Sequence, residues 1–459
     1  MLFLGRLEDS AEMSAGIPNG LPIITLPGVP APAGHEGVRA WDQLIATTSP
    51  CNQQTERHAN ELATLVYTSG STGTPKGVMI PFTAIGTAGK HFLGTVATIS
   101  SQDRMLSYLP LAHVFERAVT MTGALQYGYQ LFFNDSLATF SADIRRARPT
   151  LFHSVPRLWV KFQLGVLHKY SQEKLAALLA DPHTAEATRK EVLAQLGLDE
   201  VRIAITGSAP LPPTVLRWYR DLGLELLEGY GMSENFSYSH ISQPGNCQVG
   251  SVGQVQLGVQ HRIAENGEIQ LKTPTGMQGY YKEPAKTREA FTDDGWFRTG
   301  DRGEIDEQGR LSITGRLKEL FKTGKGKYVA PVPIENRLIN HPKVEAVCVT
   351  GSGRPQPVGL IMLDAQAQRG MGEQASREEL ESELQALMSH VNATLDPHER
   401  LDFLVVVHEQ WTVANGLLTP TMKIKRHAIE KRYEPLIEQW SKENRQVVWE
   451  NASPERQTA

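Results

Sequence analysis

The chain has 459 residues, of which 40% are hydrophobic and 21% charged, and its formal net charge is −4. This is globular composition, long enough for two to four folding units of about 100–200 residues each. The charge balance gives no electrostatic footprint for nucleic acid, no apolar run reaches the ~18 residues of a membrane span, and Cys51, Cys247 and Cys348 fit neither a disulfide framework nor a zinc spacing.

The N-terminus is apolar over four residues only and meets Glu8 and Asp9, which does not read as a secretory signal. A reducing cytoplasm suits the cysteine usage. Peripheral contact with the inner membrane face is left open.

Residues 17–37 are rich in Pro and Gly and read as irregular chain. Leu62–Tyr67 predicts a buried strand that runs into a glycine-rich loop at 68–77. Leu131–Phe133 predicts another strand. Ala, Leu, Glu and Lys at helical spacing predict helix over 171–196. Val201–Ile205 predicts a strand entering a turn at Thr206–Pro210, then a helix over Pro213–Asp221 with Pro near its start. This alternation is α/β in character. From Gly250 to Thr314 short β-type runs alternate with Asn266-Gly267, Asp294-Gly295 and Gln308-Gly309, which predicts a β-rich subdomain. Beyond Arg316 a small α/β unit is expected, with strands at Val344–Val349 and Phe403–Val407 and helices near 376–394 and 425–440. The polar tail from Asn451 reads as frayed.

Thr68-Ser-Gly-Ser-Thr-Gly-Thr-Pro-Lys-Gly77 holds three glycines, five hydroxyls and one lysine. Glycines let main-chain N–H groups approach a phosphate, and hydroxyls and Lys76 donate to its oxygens. A flexible surface linker would have the same composition, but this loop follows directly on a strand. It is not a Walker A loop, and no G-x-G-x-x-G or G-x-S-x-G occurs, which disfavours P-loop, dinucleotide and α/β-hydrolase readings.

With this loop the chain resembles the adenylate-forming, AMP-binding superfamily of acyl-CoA synthetases, adenylation domains and beetle luciferases. Further motifs follow in that family's order: Leu109-Pro-Leu-Ala-His-Val-Phe-Glu116, Thr206-Gly-Ser-Ala-Pro-Leu211, Glu228-Gly-Tyr-Gly-Met-Ser-Glu234, Gly295-Trp-Phe-Arg-Thr-Gly-Asp301, Gly315-Arg316, and Asn415 to Arg426. The resemblance implies ATP, Mg²⁺ and coenzyme A. It assigns the phosphates to Thr68, Ser69, Gly70, Ser71, Thr72, Gly73 and Lys76. The adenine falls to Ser208, Ala209, Gly229, Tyr230, Gly231, Met232 and Ser233, with Tyr230 as a stacking face. Glu234 would hold Mg²⁺, with Thr68 as a second oxygen. Asp301 and Arg316 would hold the ribose diol. His113 would border the substrate carboxylate. Lys318 would be a hinge, followed by a mobile hairpin with Lys322, Gly324 and Lys327. Lys423 would be the catalytic lysine. Alone, each of these residues would more often be a core, cap or surface residue.

The implied fold is α/β: a large adenylating N-terminal domain over 1–315, with its β-rich subdomain at about 250–315, and a small mobile C-terminal α/β domain over 316–459. The strings Leu109–Arg117, Ser154–Trp159 and Leu418–Lys423 look most like long-chain fatty acid–CoA ligases. The implied reaction activates a fatty acid to acyl-AMP and then to acyl-CoA. Delivery to a carrier protein, or an inactive truncated nucleotide- or acyl-binding protein, are the alternatives. Relatives carry more chain before the glycine loop, so an N-terminally short first domain is expected.

Overall fold

A computed structural model describes residues 1–5, 16–53, 55–68, 75–370, 374–419 and 423–450. Two units form, Met1–Arg57 and His58–Ala459. In the first, Leu2–Leu4, Ile23–Thr25 and Arg39–Ala40 make a parallel sheet. Ile23 and Ile24 are buried. The stretch 17–37 is therefore not irregular throughout: two β-branched residues suit a paired, pleated surface.

In the second unit, Leu151–Ser154, Ile203–Thr206 and Leu226–Tyr230 are parallel neighbours, extended by antiparallel His240–Ile241 and Gln254–Val255. All four residues of Leu151–Ser154 and of Ile203–Thr206 are buried, as expected of parallel strands covered on both faces. Helix Pro213–Asp221 forms as predicted, with Val215, Leu216 and Tyr219 on its buried side. The helix predicted over 171–196 is two, Gln172–Ala180 and Ala185–Leu196. Asp181-Pro182 separates them, because proline lacks the N–H that a helix interior needs.

Leu62–Thr68 pairs antiparallel with Lys76–Pro81, which also pairs with Gly279–Tyr280. Within Leu62–Thr68 only Val66 is fully buried, and Tyr67 is 59% exposed. The expectation of a buried strand is thus corrected: this is the edge of a small antiparallel sheet, which keeps one face wet. The β-rich region is a four-stranded antiparallel sheet of Gln260–Ile263, Glu268–Lys272, Phe297–Ile305 and Leu311–Arg316.

Further along, Val344–Thr350, Val358–Leu363, Leu404–Val407 and Val447–Trp449 form a mixed sheet. Gln374–Asn392 buries Leu380, Leu384 and Met388 in one core cluster of this sheet, and Arg426–Trp440 buries Ile429, Tyr433 and Ile437 in another. The wholly buried strand Val358–Leu363 was not anticipated. Its apolar run Leu360-Ile-Met-Leu363 has no alternation to distinguish it from buried helix.

Candidate active site

The ends of one hairpin, the strands Leu226–Tyr230, Phe297–Ile305 and Leu311–Arg316, the turn Ser233–Asn235 and separate loops supply the candidate residues. Thr68 and Lys76 face each other across the hairpin that carries the glycine-rich loop. Ser69, Gly70, Ser71, Thr72 and Gly73 lie outside the described residues. The Lys76 ammonium lies 4.9 Å from the centroid of the Tyr280 ring, and the Tyr280 hydroxyl donates to Glu234 Oε1 at 2.8 Å. Tyr280 thus joins the phosphate-side lysine to the candidate metal ligand, and sequence reasoning missed it. Burial, and then the Glu234 charge, raise its phenol pKa. Glu234 sits in the short turn Ser233–Asn235, braced where the Met232 N–H donates to Asn235 Oδ1 at 2.9 Å. Glu234 Oε2 makes no hydrogen bond or ion pair with the described residues. One oxygen braced and one open is a donor set that fits Mg²⁺.

Glycine is required at position 231, where a Cβ would fall 2.5 Å from the Ser237 carbonyl carbon and oxygen. Ser208 adopts φ 73°, and a Cβ on Gly207 would come 3.2 Å from Gly229 O. Gly207, which precedes Ser208 and Ala209, therefore packs against Gly229.

Tyr230 ends its strand buried against Ile269, Leu271 and Leu311, and its hydroxyl donates to Asp301 Oδ2 at 2.7 Å. Asp301 Oδ1 takes Arg316 Nε at 2.9 Å. Asp301 and Arg316 are direct partners in antiparallel strands, so register alone brings them together. Asp301 is buried, while 60% of the Arg316 side chain is exposed and free to meet a ligand.

Lys423 lies just before Ile424, which bridges back to Leu418, and its N–H donates to Thr419 Oγ1 at 3.0 Å. Desolvation and then the Arg316 charge push its ammonium pKa down to about 8, opposed by Asp301 and Glu319. The side chain keeps much solvent contact, so the like charge of Arg316 is the firmer of the two causes. His113 is half-buried; its Nδ1 accepts the Phe115 N–H at 3.2 Å. Burial, Lys423 and His153 push it down to about 4, against Glu116. At neutral pH it is uncharged and carries its proton on Nε2. Behind it, Glu116 and His153 form a buried pair 3.3 Å apart, with Thr120 on His153 Nε2 at 2.8 Å and Ser107 on Glu116 at 2.7 Å. Glu116 was quoted in a motif, but nothing in its type announced a partner 37 residues on.

Lys322, Gly324 and Lys327 lie on or within the hairpin of Phe321–Lys322 and Tyr328–Val329. Their main chain bonds to a neighbouring turn: Gly324 N to Arg354 O at 2.7 Å, Gly353 N to Lys322 O at 2.9 Å. Among the described residues this hairpin makes no hydrogen bond to Glu234, Asp301 or Lys423. The structure therefore brings together two clusters, Lys76–Tyr280–Glu234 and Tyr230–Asp301–Arg316 with Lys423 and His113 in electrostatic reach.

The AMP-binding enzyme family matches residues 23–281, and its C-terminal domain matches residues 320–445. The chain belongs to the AMP-binding enzyme family. A putative fatty-acid–CoA ligase, FadD11 of Mycobacterium tuberculosis, is 32% identical over 434 residues, covering 86% of this chain and 76% of that protein. The long-chain-fatty-acid–CoA ligase FadD15 of Mycobacterium bovis is 30% identical over 93% of this chain and 77% of its own length. Among solved structures, the adenylation domain of a carboxylate reductase from Mycobacterium chelonae superposes with TM-score 0.72 at 27% identity, over 88% of this chain and 64% of that one. The anthranilate CoA ligase AuaEII with anthranoyl-AMP superposes with TM-score 0.73 at 21% identity, covering 95% of this chain and 79% of that one, a likeness of fold. No described helix is long and apolar enough to cross a membrane.

Proposed function

We propose that this member of the AMP-binding family is an ATP-dependent ligase that activates a long-chain fatty acid to acyl-AMP and transfers the acyl group to coenzyme A. The observation that carries this reading is the placement of Lys423 in electrostatic reach of the Asp301–Arg316 pair and of His113. FadD11 and FadD15, both named as CoA ligases, favour a fatty acid and CoA over a carrier protein.

A carboxylate is a poor electrophile until one oxygen becomes part of a leaving group. In the first step the fatty acid carboxylate attacks the α-phosphorus of ATP and pyrophosphate leaves. Two anions must meet, so the contribution of the site is positioning and charge stabilisation. Lys423, protonated below about 8, neutralises the carboxylate and α-phosphate. Neutral His113 offers its Nε2–H to a carboxylate oxygen. Asp301 and Arg316 hold the ribose hydroxyls, and Tyr230 fixes Asp301. Lys76, the glycine-rich loop and Thr68 hold the phosphates. Glu234, with Thr68, would hold Mg²⁺, which would supply charge neutralisation on the leaving pyrophosphate. In the second step the CoA thiolate attacks the mixed anhydride, forming acyl-CoA and releasing AMP. Rotation of the small domain about Lys318 exchanges Lys423 for the Lys322–Lys327 hairpin, whose cations face the phosphates of CoA.

The test is product formation from palmitate, ATP, Mg²⁺ and CoA by the purified chain, quantifying AMP and acyl-CoA beside Lys423→Ala. Acyl-CoA formed by the wild type and lost in the variant supports the ligase. A soluble, cooperatively folded wild type that makes no AMP with any fatty acid sinks it.

A further inference from the structure

Arg426 opens the helix Arg426–Trp440, three residues after Lys423. Its guanidinium forks onto both oxygens of Glu335, at 2.6 and 2.8 Å, and donates to Val349 O at 2.9 Å. Glu335 in turn accepts the Val349 N–H at 2.7 Å. These charge-assisted bonds tie the end of the Lys423 segment to helix Pro331–Leu338 and strand Val344–Thr350 of the same small sheet unit. With Glu335 the guanidinium is already electrically matched. It nevertheless faces a second carboxylate, Glu319, with Arg426 Nη2 at 3.7 Å from Glu319 Oε2.

Glu319 ends the single turn Leu317–Glu319, which directly follows Arg316 and contains Lys318. Its charge is felt by Arg316, Lys423 and Arg426 alike. Arg316 and Lys423 repel each other, and the counter-charge that both feel, Asp301, is already held by Arg316 and the Tyr230 hydroxyl. Neutral His113 offers no compensation. Glu319 is the other anion that offsets this repulsion, and it does so from the turn about which the small domain would rotate.

We propose that Glu319 is a positioning residue that seats the Lys423 segment beside the Asp301–Arg316 pair, and so supports acyl-AMP formation but not transfer of the acyl group to the thiol. This rests on the two-step ligase reading above. Once Lys423 leaves, the repulsion that Glu319 offsets is gone, so the second step does not depend on it.

The test uses the full chain with Glu319→Gln, which keeps the shape and removes the charge. Pyrophosphate release with palmitate and ATP reads the first step; acyl-CoA formation from supplied palmitoyl-AMP and CoA reads the second. The first is expected to fall about five- to tenfold, the low end of typical coupling between sites, with the second unchanged. Loss of a neighbouring anion also lowers the Lys423 pKa, so the alkaline limb of the first step moves to lower pH. Glu319→Asp, which keeps the charge, restores the position of that limb. An equal fall in both steps, or an unmoved limb in Glu319→Gln, overturns the proposal. A wild type that releases no pyrophosphate overturns the ligase reading instead; an active wild type matched by Glu319→Gln overturns only the role of Glu319.

Discussion

The Asp301 cluster and the Lys423 segment meet at one place but are held in opposite ways. Asp301 is buried, paired by strand register, and bonded to both Tyr230 and Arg316. Lys423 stands exposed on a loop, retained by main-chain bonds to Thr419 and by the Arg426 anchor three residues on. On the proposed mechanism, groups that hold a nucleotide through both steps gain from rigidity, whereas a lysine that serves one step must leave at the cost of few contacts, and that favours a loop with a single strong anchor.

The sharpest way to break this contrast is at the anchor. Arg426→Ala strands Glu335 with a buried carboxylate and should lower stability by about 3–5 kcal/mol, the usual cost of breaking such a pair; thermal denaturation reads it, and an unchanged Tm would mean that the anchor is elsewhere. On the rigid side, Asp301→Asn removes the charge that faces Arg316 while keeping the shape. Its KM for ATP should rise about tenfold, the scale of one lost charged hydrogen bond, with less change in the KM for palmitate. Equal changes in both would argue that the cluster does not hold the ribose. Tyr230→Phe removes only the hydroxyl on Asp301 and should cost about 1 kcal/mol of stability in urea denaturation.

The pH dependence separates the two regions with a smaller signal. Lys423 at about 8 loses its proton as pH rises through that value, so pyrophosphate release should fall above it. Stability moves the other way. Between about 8 and the unfolded lysine value of about 10.4 the unfolded chain binds more protons, so this group favours the fold as pH rises. A pyrophosphate-release rate that stays flat to pH 9.5 would show that substrate phosphates hold the ammonium protonated. The least effect is expected at the hairpin edge, where Tyr67→Ser, at a largely exposed ring, should alter stability by less than about 0.5 kcal/mol.

Strands with alternation or β-branched runs and the helix Pro213–Asp221 were legible because local pattern and burial agree there. The break at Asp181-Pro182 was legible in principle and was outweighed by composition. The edge exposure of Leu62–Thr68 was not legible, since an apolar strand reads the same whether a sheet covers one face or two. Among the candidate residues, Glu234, Asp301, Arg316 and Lys423 came from motif strings. Tyr280, His153 and Glu335 carried no such string, and Glu319 lay in the hinge string of Lys318 without a role; each becomes notable only through a partner distant in sequence.

The sequence by itself determined the chemistry on offer: a hydroxyl- and glycine-rich loop and, through resemblance to the family's motifs, a metal-suited carboxylate, a carboxylate–guanidinium pair and a lysine in a recognisable frame. It also determined the kind of elements, because helix and strand periods and turn residues act over a few residues. Tertiary structure decided which charges face one another. Electrostatic energy depends on distance and dielectric rather than on separation along the chain, so only folding could place Glu319 among Arg316, Lys423 and Arg426, and set these charges against one another.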